Sequence, residues 1–577
     1  MLVAGLVILS LGRHVPDLFT GRLPDNDDLL RLQQARDLLA GQAWYNVDQS
    51  RFLTPEGGEM HWSRIPDVFL SGLILIFSPL FGRENAEFLA VALWPLMLLG
   101  VMMATLIVAM RHLRMSPFSQ IIGLFFLATS SVVYNFWPGR IDHHNLVSLL
   151  ILVSFVGLIM SEQRPRSAIL AGVSLCAALS IAIEALPYAG LLFGLFGLFW
   201  VVRGHREASR LTLFGLTLVI SCTLFYLLDA PGWGPARAVC DAYGTSHWVA
   251  LVVGGLGLMG IGLFASNLYT WSSRLMLGAA VGILTLVSLA LTNPTCLGNP
   301  YADVSALVYE GWLRHVGEAR TLPKLWDDDP YRTIMQFGFA LAGLSAALLM
   351  ILRAPDGQRL ARLALGLCMA LATLTTIWQI RGVTFSHLFG VLAAAWLVGI
   401  LFEHWRKVGG IGPVLGLCFG TLLMAPYSWS LIALPFQVQG VVDEEGTPAN
   451  VRCLEPEIYQ TLPKDKTLRI FTPIDLGMSV LALSPHEVFA GPYHRNIQGL
   501  ERVLEIWFGS AASAQTALEA MGADHVLFCI GLNETNRYAR TEPQGFAADL
   551  TEQRIPDWLE PIPEHSNDRI RLYRIKP

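Results

Sequence analysis

The sequence predicts a polytopic α-helical membrane protein with about 13 transmembrane helices and a C-terminal α/β domain outside the membrane. Three observations predict it. Hydrophobic residues make up 53% of the 577 residues and Asp, Glu, Lys and Arg only 15%, where a soluble domain carries about 25% charged residues. Apolar runs approaching the roughly 20 residues needed to cross a bilayer recur up to residue 436, and the mean hydropathy is +0.49. From about residue 437 the charge density becomes ordinary and strand-like runs appear, such as Leu468–Phe471 and His525–Phe528. The expected division is therefore 1–436 in the membrane and 437–577 outside it. A net charge of −5 argues against nucleic acid as a partner.

Taken in order, the run Met1–Gly12 is short and lacks both a charged n-region and an A-x-A site, so it reads as a short first span rather than a signal peptide. A long outer loop, 13–85, follows; it contains a further apolar run at 67–82, short and interrupted by Pro79, which could span or lie in the interface. The remaining runs are 86–110, 118–136, 145–160, 168–183, 185–202, 211–229, 248–270, 275–291, 334–352, 363–379, 384–402 and 411–434. If 67–82 does not cross, every second short loop carries the basic residues: Arg111 and Arg114; Arg164 and Arg166; Arg203, Arg206 and Arg210; Arg274; Arg353, Arg359 and Arg362; Arg406 and Lys407. The positive-inside rule makes these loops cytoplasmic, with the N-terminus in and the C-terminus out. The outer face then holds 13–85, 137–144, 230–247, 292–333 and the C-terminal domain.

The acids collect on that outer face. Asp25, Asp27 and Asp28 follow the first span, either as a helix cap or as ligands. GRIDHHN sets Asp142, His143 and His144 between two spans; a carboxylate and an imidazole two residues apart can share one cation if the backbone is extended, and the donor set suits Mn or Mg. Glu318 lies in the longest mid-chain outer loop, with Asp327–Asp329 beyond it, read as solvated or as a cap for the next span. Arg381 sits in the short outer turn QIRG, against the charge rule, either snorkelling or holding an anionic headgroup. His61 and Arg64 are polar groups beside the 67–82 run, and Trp62 between them reads as an interface anchor. Glu184, at membrane depth between two spans, is a functional candidate by its position. Cys240 with Cys296, and Cys453 with Cys529, are possible outer disulfides; free thiols are the alternative.

This order of features resembles the catalytic subunit of oligosaccharyltransferases, closest to the archaeal and bacterial single-subunit forms, which are GT-C glycosyltransferases using lipid-linked sugars. The likeness is carried by DNDDLLRLQQARDLLAG, GRIDHHN and VGEA. It implies Asp27 as the first-loop metal ligand, with Asp25 as second choice, and Asp142 and His144 as the D-x-H metal motif. It implies His143 and His61 as lipid-phosphate contacts, Arg381 as the phosphate-binding arginine, and Glu318 as the loop glutamate. The family's WWDxG acceptor motif is degenerate: in TPIDLG, Asp475 and Gly477 remain while Pro473 and Ile474 replace the tryptophans. Tyr493, His494 and Arg495 in GPYHRN are polar groups where an acceptor could be read, or a surface turn.

The resemblance thus implies a glycosyltransferase of the inner (cytoplasmic) membrane. It would move a sugar or oligosaccharide from a polyprenyl-phosphate or polyprenyl-diphosphate donor to a glycan, lipid or protein acceptor on the outer face, with a divalent metal. A true protein oligosaccharyltransferase with an altered sequon pocket is one alternative. A lipid or solute transporter is another, but the chain shows no inverted repeat and its acids gather at one face rather than at the midplane. A silent scaffold would have lost the metal residues, and here they persist together.

Overall fold

The computed structural model describes residues 5, 17–55, 57–229, 239–264, 268, 270–298, 304–437, 453–567 and 569–576. The short first span expected at Met1–Gly12 lies, apart from Gly5, outside the described residues. The chain is mostly helical. Among the described residues, seven helices are long and apolar enough to cross a membrane, or up to eight if a pair bent by 77° at Ala425 is counted as one span. They run from Arg83–His112 to Ile380–Val408, and Ile183–Leu228 is one continuous stretch by that measure.

Several expected spans are shorter as helices than as apolar runs. The run 118–136 breaks at Ser130, whose backbone is extended, and its last part winds into a 3-10 turn, Ser131–Phe136, leaving a 13-residue helix, Pro117–Thr129. The run 168–183 ends as a helix at Ile181, turns through extended Ala182 and tightens into a 3-10 turn carrying Glu184. Ile65–Phe81 is a 17-residue helix that ends at Gly82; there a φ of +78°, which glycine adopts without steric cost, turns the chain into Arg83–His112. Hydropathy alone cannot separate these ends from the spans, because they are apolar as well.

The C-terminal part contains a five-stranded mixed sheet. Its strands are β1 (Arg469–Phe471), β2 (Glu487–Val488), β3 (His525–Cys529), β4 (Leu559–Pro561) and β5 (Ile570–Ile575), in spatial order β2-β1-β3-β5-β4. β1 runs parallel to β2 and β3, and β5 antiparallel to β3 and β4. Alternation along the strands sorts side chains onto two cores. Ile470, Leu527, Cys529 and Leu572 face one, and Phe471, Val526, Phe528 and Tyr573 the other. The first core is completed by the first outer loop through Leu29, Leu30, Val47, Phe52, Met60 and Trp62. The second is completed by Val308, Trp312 and Leu313, from the loop that carries Glu318. Phe52 also pairs with Val488 as an isolated parallel bridge. The sheet thus clamps the two loops that bring Asp27 and Glu318 to the site. Both candidate cysteine pairs, Cys240–Cys296 and Cys453–Cys529, are disulfide-bonded.

Candidate functional site

The helix Asn26–Leu39 sorts the three first-loop aspartates. Asp25 is its N-cap, and its carboxylate accepts the backbone N–H of Asp27 at 2.9 Å and of Asp28 at 3.3 Å. Asp28, fully buried, accepts the backbone N–H of Ile141 at 2.8 Å and of Asp142 at 2.9 Å, and pairs with Arg140 at 2.8 Å. Arg140 also pairs with Asp25. Two of the three acids are therefore spent on holding the GRIDHHN loop. Asp27 alone lines the cavity. Burial, then the charges of Asp142, Asp25 and Glu318, push its carboxyl well above the usual carboxylate range.

GRIDHHN turns at Gly139, whose φ of +95° strains any other residue and whose Cβ position lies only 3.0 Å from Leu18 and Pro24 side-chain atoms. Asp142 is 2% exposed. Its Oδ1 accepts the backbone N–H of His143 at 2.6 Å and lies 2.5 Å from His143 Nδ1. Its Oδ2 takes no hydrogen bond, although it is buried 3.3 Å from His144 Nε2. Burial pushes Asp142 up, but the imidazoles of His143 and His144 outweigh it and hold the carboxyl well below its ordinary value. His144 joins the loops: its Nδ1 lies 3.3 Å from Glu184, and its Nε2 3.7 Å from Glu318. Burial also raises Glu318, and a hydrogen bond from His144 and its charge bring that carboxyl below its ordinary value.

Arg381 and Glu318 share one backbone junction, since the Arg381 N–H donates to the Glu318 carbonyl at 3.2 Å and the Ile380 N–H to the Arg320 carbonyl at 2.9 Å. The Arg381 guanidinium donates to Glu184 at 2.6 Å. Glu184 is thereby the partner of both the arginine and His144, a link that spacing could not show across 197 residues.

These groups open onto one cavity of about 380 Å³, whose lining includes Asp27, His143, His144, Glu184, Glu318 and Arg381. Leu186, Tyr188, Trp378 and Phe385 give it an apolar wall. His61 and His494 line it as well, their rings 4.5 Å apart. Between them stands Asp241, which the sequence reading did not single out; its position after Cys240 in an outer loop was the available signal. Asp241 accepts from His494 Nε2 at 2.9 Å and from Arg495 Nε at 2.8 Å and Nη2 at 2.9 Å.

Other expected site residues lie elsewhere. Arg64 is buried beneath the first loop, where it donates to Asp67, Gln42 and the carbonyls of Gln34 and Asn46. Trp62 is 5% exposed and packs against His143 and Tyr493, so it is no interface anchor. Asp475 starts the helix Ile474–Leu483, whose first two N–H groups donate to buried Glu534. Asp329 caps Pro330–Leu352, and Asp328 pairs with Lys324.

The Asp142 centre fits a cation. It offers a buried carboxylate oxygen without a hydrogen bond and an imidazole, with the half-buried Asp27 carboxyl, whose charge Asp142 opposes, on the same cavity. Asp142, His143 and His144 form one of two groups among the described residues whose ligand atoms lie within 4.8 Å of one another; His61, Asp241 and His494 form the other.

No protein-family description and no curated protein matches the chain by sequence. Solved structures do match. The archaeal oligosaccharyltransferase AglB from Archaeoglobus fulgidus, in complex with an inhibitory peptide and a dolichol-phosphate, aligns with a TM-score of 0.66 at 13% identity, over 98% of this chain and 73% of that one. The same organism's enzyme in complex with Zn and sulfate aligns at 0.63 and 14% identity, over 100% of this chain and 73% of that one. Tethered to an acceptor peptide containing the NVT sequon, it aligns at 0.63 and 13% identity, over 100% and 74%. The likeness is one of fold. It bears out the resemblance to oligosaccharyltransferase catalytic subunits read from the sequence, in the architecture that carries the site.

Proposed function

We propose that this chain is a membrane glycosyltransferase. It takes a sugar or oligosaccharide from a polyprenyl-phosphate or polyprenyl-diphosphate donor and passes it to an acceptor at the outer face of the inner membrane. The observation that carries the reading is the single cavity in which Asp27, His144, Glu318 and Arg381 meet an apolar wall, with Asp142 just behind. In this reading the shorter apolar helices count as spans, towards the 13 expected, and the two disulfides sit in an oxidising compartment.

Asp27, Asp142 and His144 would hold a divalent ion such as Mn or Mg. When bound, such an ion supplies positive charge against the phosphate leaving group. The rest falls to the chain. The apolar wall receives the prenyl tail beside the headgroup. The Arg381 fork takes phosphate oxygens bidentately, with Glu184 holding it in place until the donor arrives. His143, beside Asp142, is a further phosphate contact. Glu318 is the carboxylate that orients the acceptor group and accepts its proton. The acceptor is a glycan, lipid or protein read without a tryptophan pair, because Pro473 and Ile474 occupy those positions.

The test is transfer from a radiolabelled polyprenyl-linked sugar in proteoliposomes. EDTA and Asp142→Ala should each abolish product, and Mn²⁺ should restore only the wild type. Transfer that survives both treatments would remove the metal from the mechanism. Solute uptake without a glycosyl product would replace the whole reading.

A further inference from the structure

We propose that His61, Asp241 and His494 form a second divalent-cation site, suited to Zn²⁺, separate from the centre at Asp142. The three side chains come from the first outer loop, the disulfide-held loop and the C-terminal part, and their ligand atoms lie within 4.8 Å of one another. His61 Nδ1 is buried and has no hydrogen-bond partner. The three residues are half-buried, and His494 Nε2 already meets Asp241, so the unanswered group at the cluster is the buried His61 nitrogen.

The donor chemistry selects the ion. Two nitrogens and one carboxylate oxygen suit zinc, which binds imidazole and carboxylate in a tetrahedron and can leave one position open. Mg²⁺ and Ca²⁺ prefer sets dominated by oxygen, and here nitrogens are in the majority. The protonation states agree: burial, then His494, hold His61 well below its ordinary value, so its ring is a neutral ligand. Burial raises Asp241, but Arg495 and His494 outweigh it and keep the carboxylate ionised.

An outer layer also orients the ligands, as metal sites require. Arg495 grips both oxygens of Asp241 and is held at 2.8 Å by Glu59. The Cys240–Cys296 disulfide fixes the residue preceding Asp241. A bound zinc would replace the His494–Asp241 hydrogen bond and tie His494 to the first outer loop at the cavity wall.

The experiment uses the full chain in nanodiscs, stripped of metal and titrated with Zn²⁺ by calorimetry and with Co²⁺ by its visible absorption. Asp142→Asn is the background that silences the other centre. That protein should retain one zinc per chain and show the intense Co²⁺ band of a tetrahedral site. Adding His494→Gln or His61→Gln should abolish both. His494→Cys, which supplies a thiolate at the same place, should bring zinc back, and so guards against a variant that has merely misfolded. Arg495→Gln should weaken binding about 10- to 100-fold. The proposal is overturned if the Asp142→Asn protein binds no zinc, if the two glutamine variants bind it as well as their parent, or if the cysteine variant fails to recover it.

Discussion

Arg140→Met tests how the site is held. In the native chain this guanidinium is 2% exposed, lies over the Tyr134 ring at 4.9 Å, and answers the charges of Asp28 and Asp25. Asp28 has no other cation within ion-pairing distance among the described residues, and it sits between Arg140 and the backbone N–H groups of residues 141 and 142. Removing one partner of such a buried pair costs about 3–5 kcal/mol, because the other charge stays buried.

The sign of the pH dependence follows. Burial pushes the Asp28 carboxyl well above its ordinary value, and Arg140 pulls it back. Without Arg140 the folded state keeps the proton to higher pH than the unfolded chain does. Stability is then retained below the unfolded value and lost as pH rises toward the folded one, at up to about 1.4 kcal/mol per pH unit. Thermal midpoints by tryptophan fluorescence in nanodiscs should therefore show a small deficit at pH 5 and a large one at pH 8. Adding Asp28→Asn should recover about 2 kcal/mol, within the range of coupling between contacting residues. A deficit equal at both pH values, or two substitutions whose costs simply add, would refute the reasoning.

Other outcomes follow from the same geometry. Arg381→Gln should lower kcat/KM for the donor about 100- to 1,000-fold, the loss of about 3–4 kcal/mol of transition-state stabilisation, and Arg381→Lys should rescue little because an ammonium cannot reproduce the fork. Glu534 is pushed up to about 8 by burial and by Asp475, so it makes stability fall as pH rises from the ordinary glutamate value to about 8 and then level off; thermal midpoints of Glu534→Gln should lack that slope, at a cost of about 1 kcal/mol for a weakened backbone contact. Replacing both Cys453 and Cys529 by alanine opens a link across 76 residues and should cost about 4 kcal/mol, read as a lower unfolding midpoint.

Much of this was legible in the sequence, for identifiable reasons. Apolar runs locate helices because a lipid-facing or bundle-facing helix must be hydrophobic nearly all round. The same property hid where helices stop: Ser130 and Ala182 end theirs within apolar runs, since the turns that follow are themselves mostly apolar. The first-loop aspartates show the limit at the site. Consecutive residues on a helix point about 100° apart, so only one of neighbouring acids can face a given cavity. Which one does so is set by Arg140, more than a hundred positions on in the chain. Arg64 shows the opposite case. It had the residue type and the neighbourhood of a ligand-binding group, but Asp67, the third residue of the following helix, claims it. Asp241 had no motif around it, and only a disulfide that had yet to be assigned marked its place.

The core shared by the first outer loop and the sheet bears on how the protein is made. Leu29, Leu30, Val47, Phe52, Met60 and Trp62 leave the ribosome well before their packing partners, which lie between Cys453 and Leu572. While the intervening helices are being inserted, this loop carries an apolar face with nothing to cover it, the kind of exposed surface that invites aggregation or chaperone capture. The position of Asp27 is therefore settled only once the sheet strands have been made. A nascent chain halted before residue 453 would lack the packing partners of this loop.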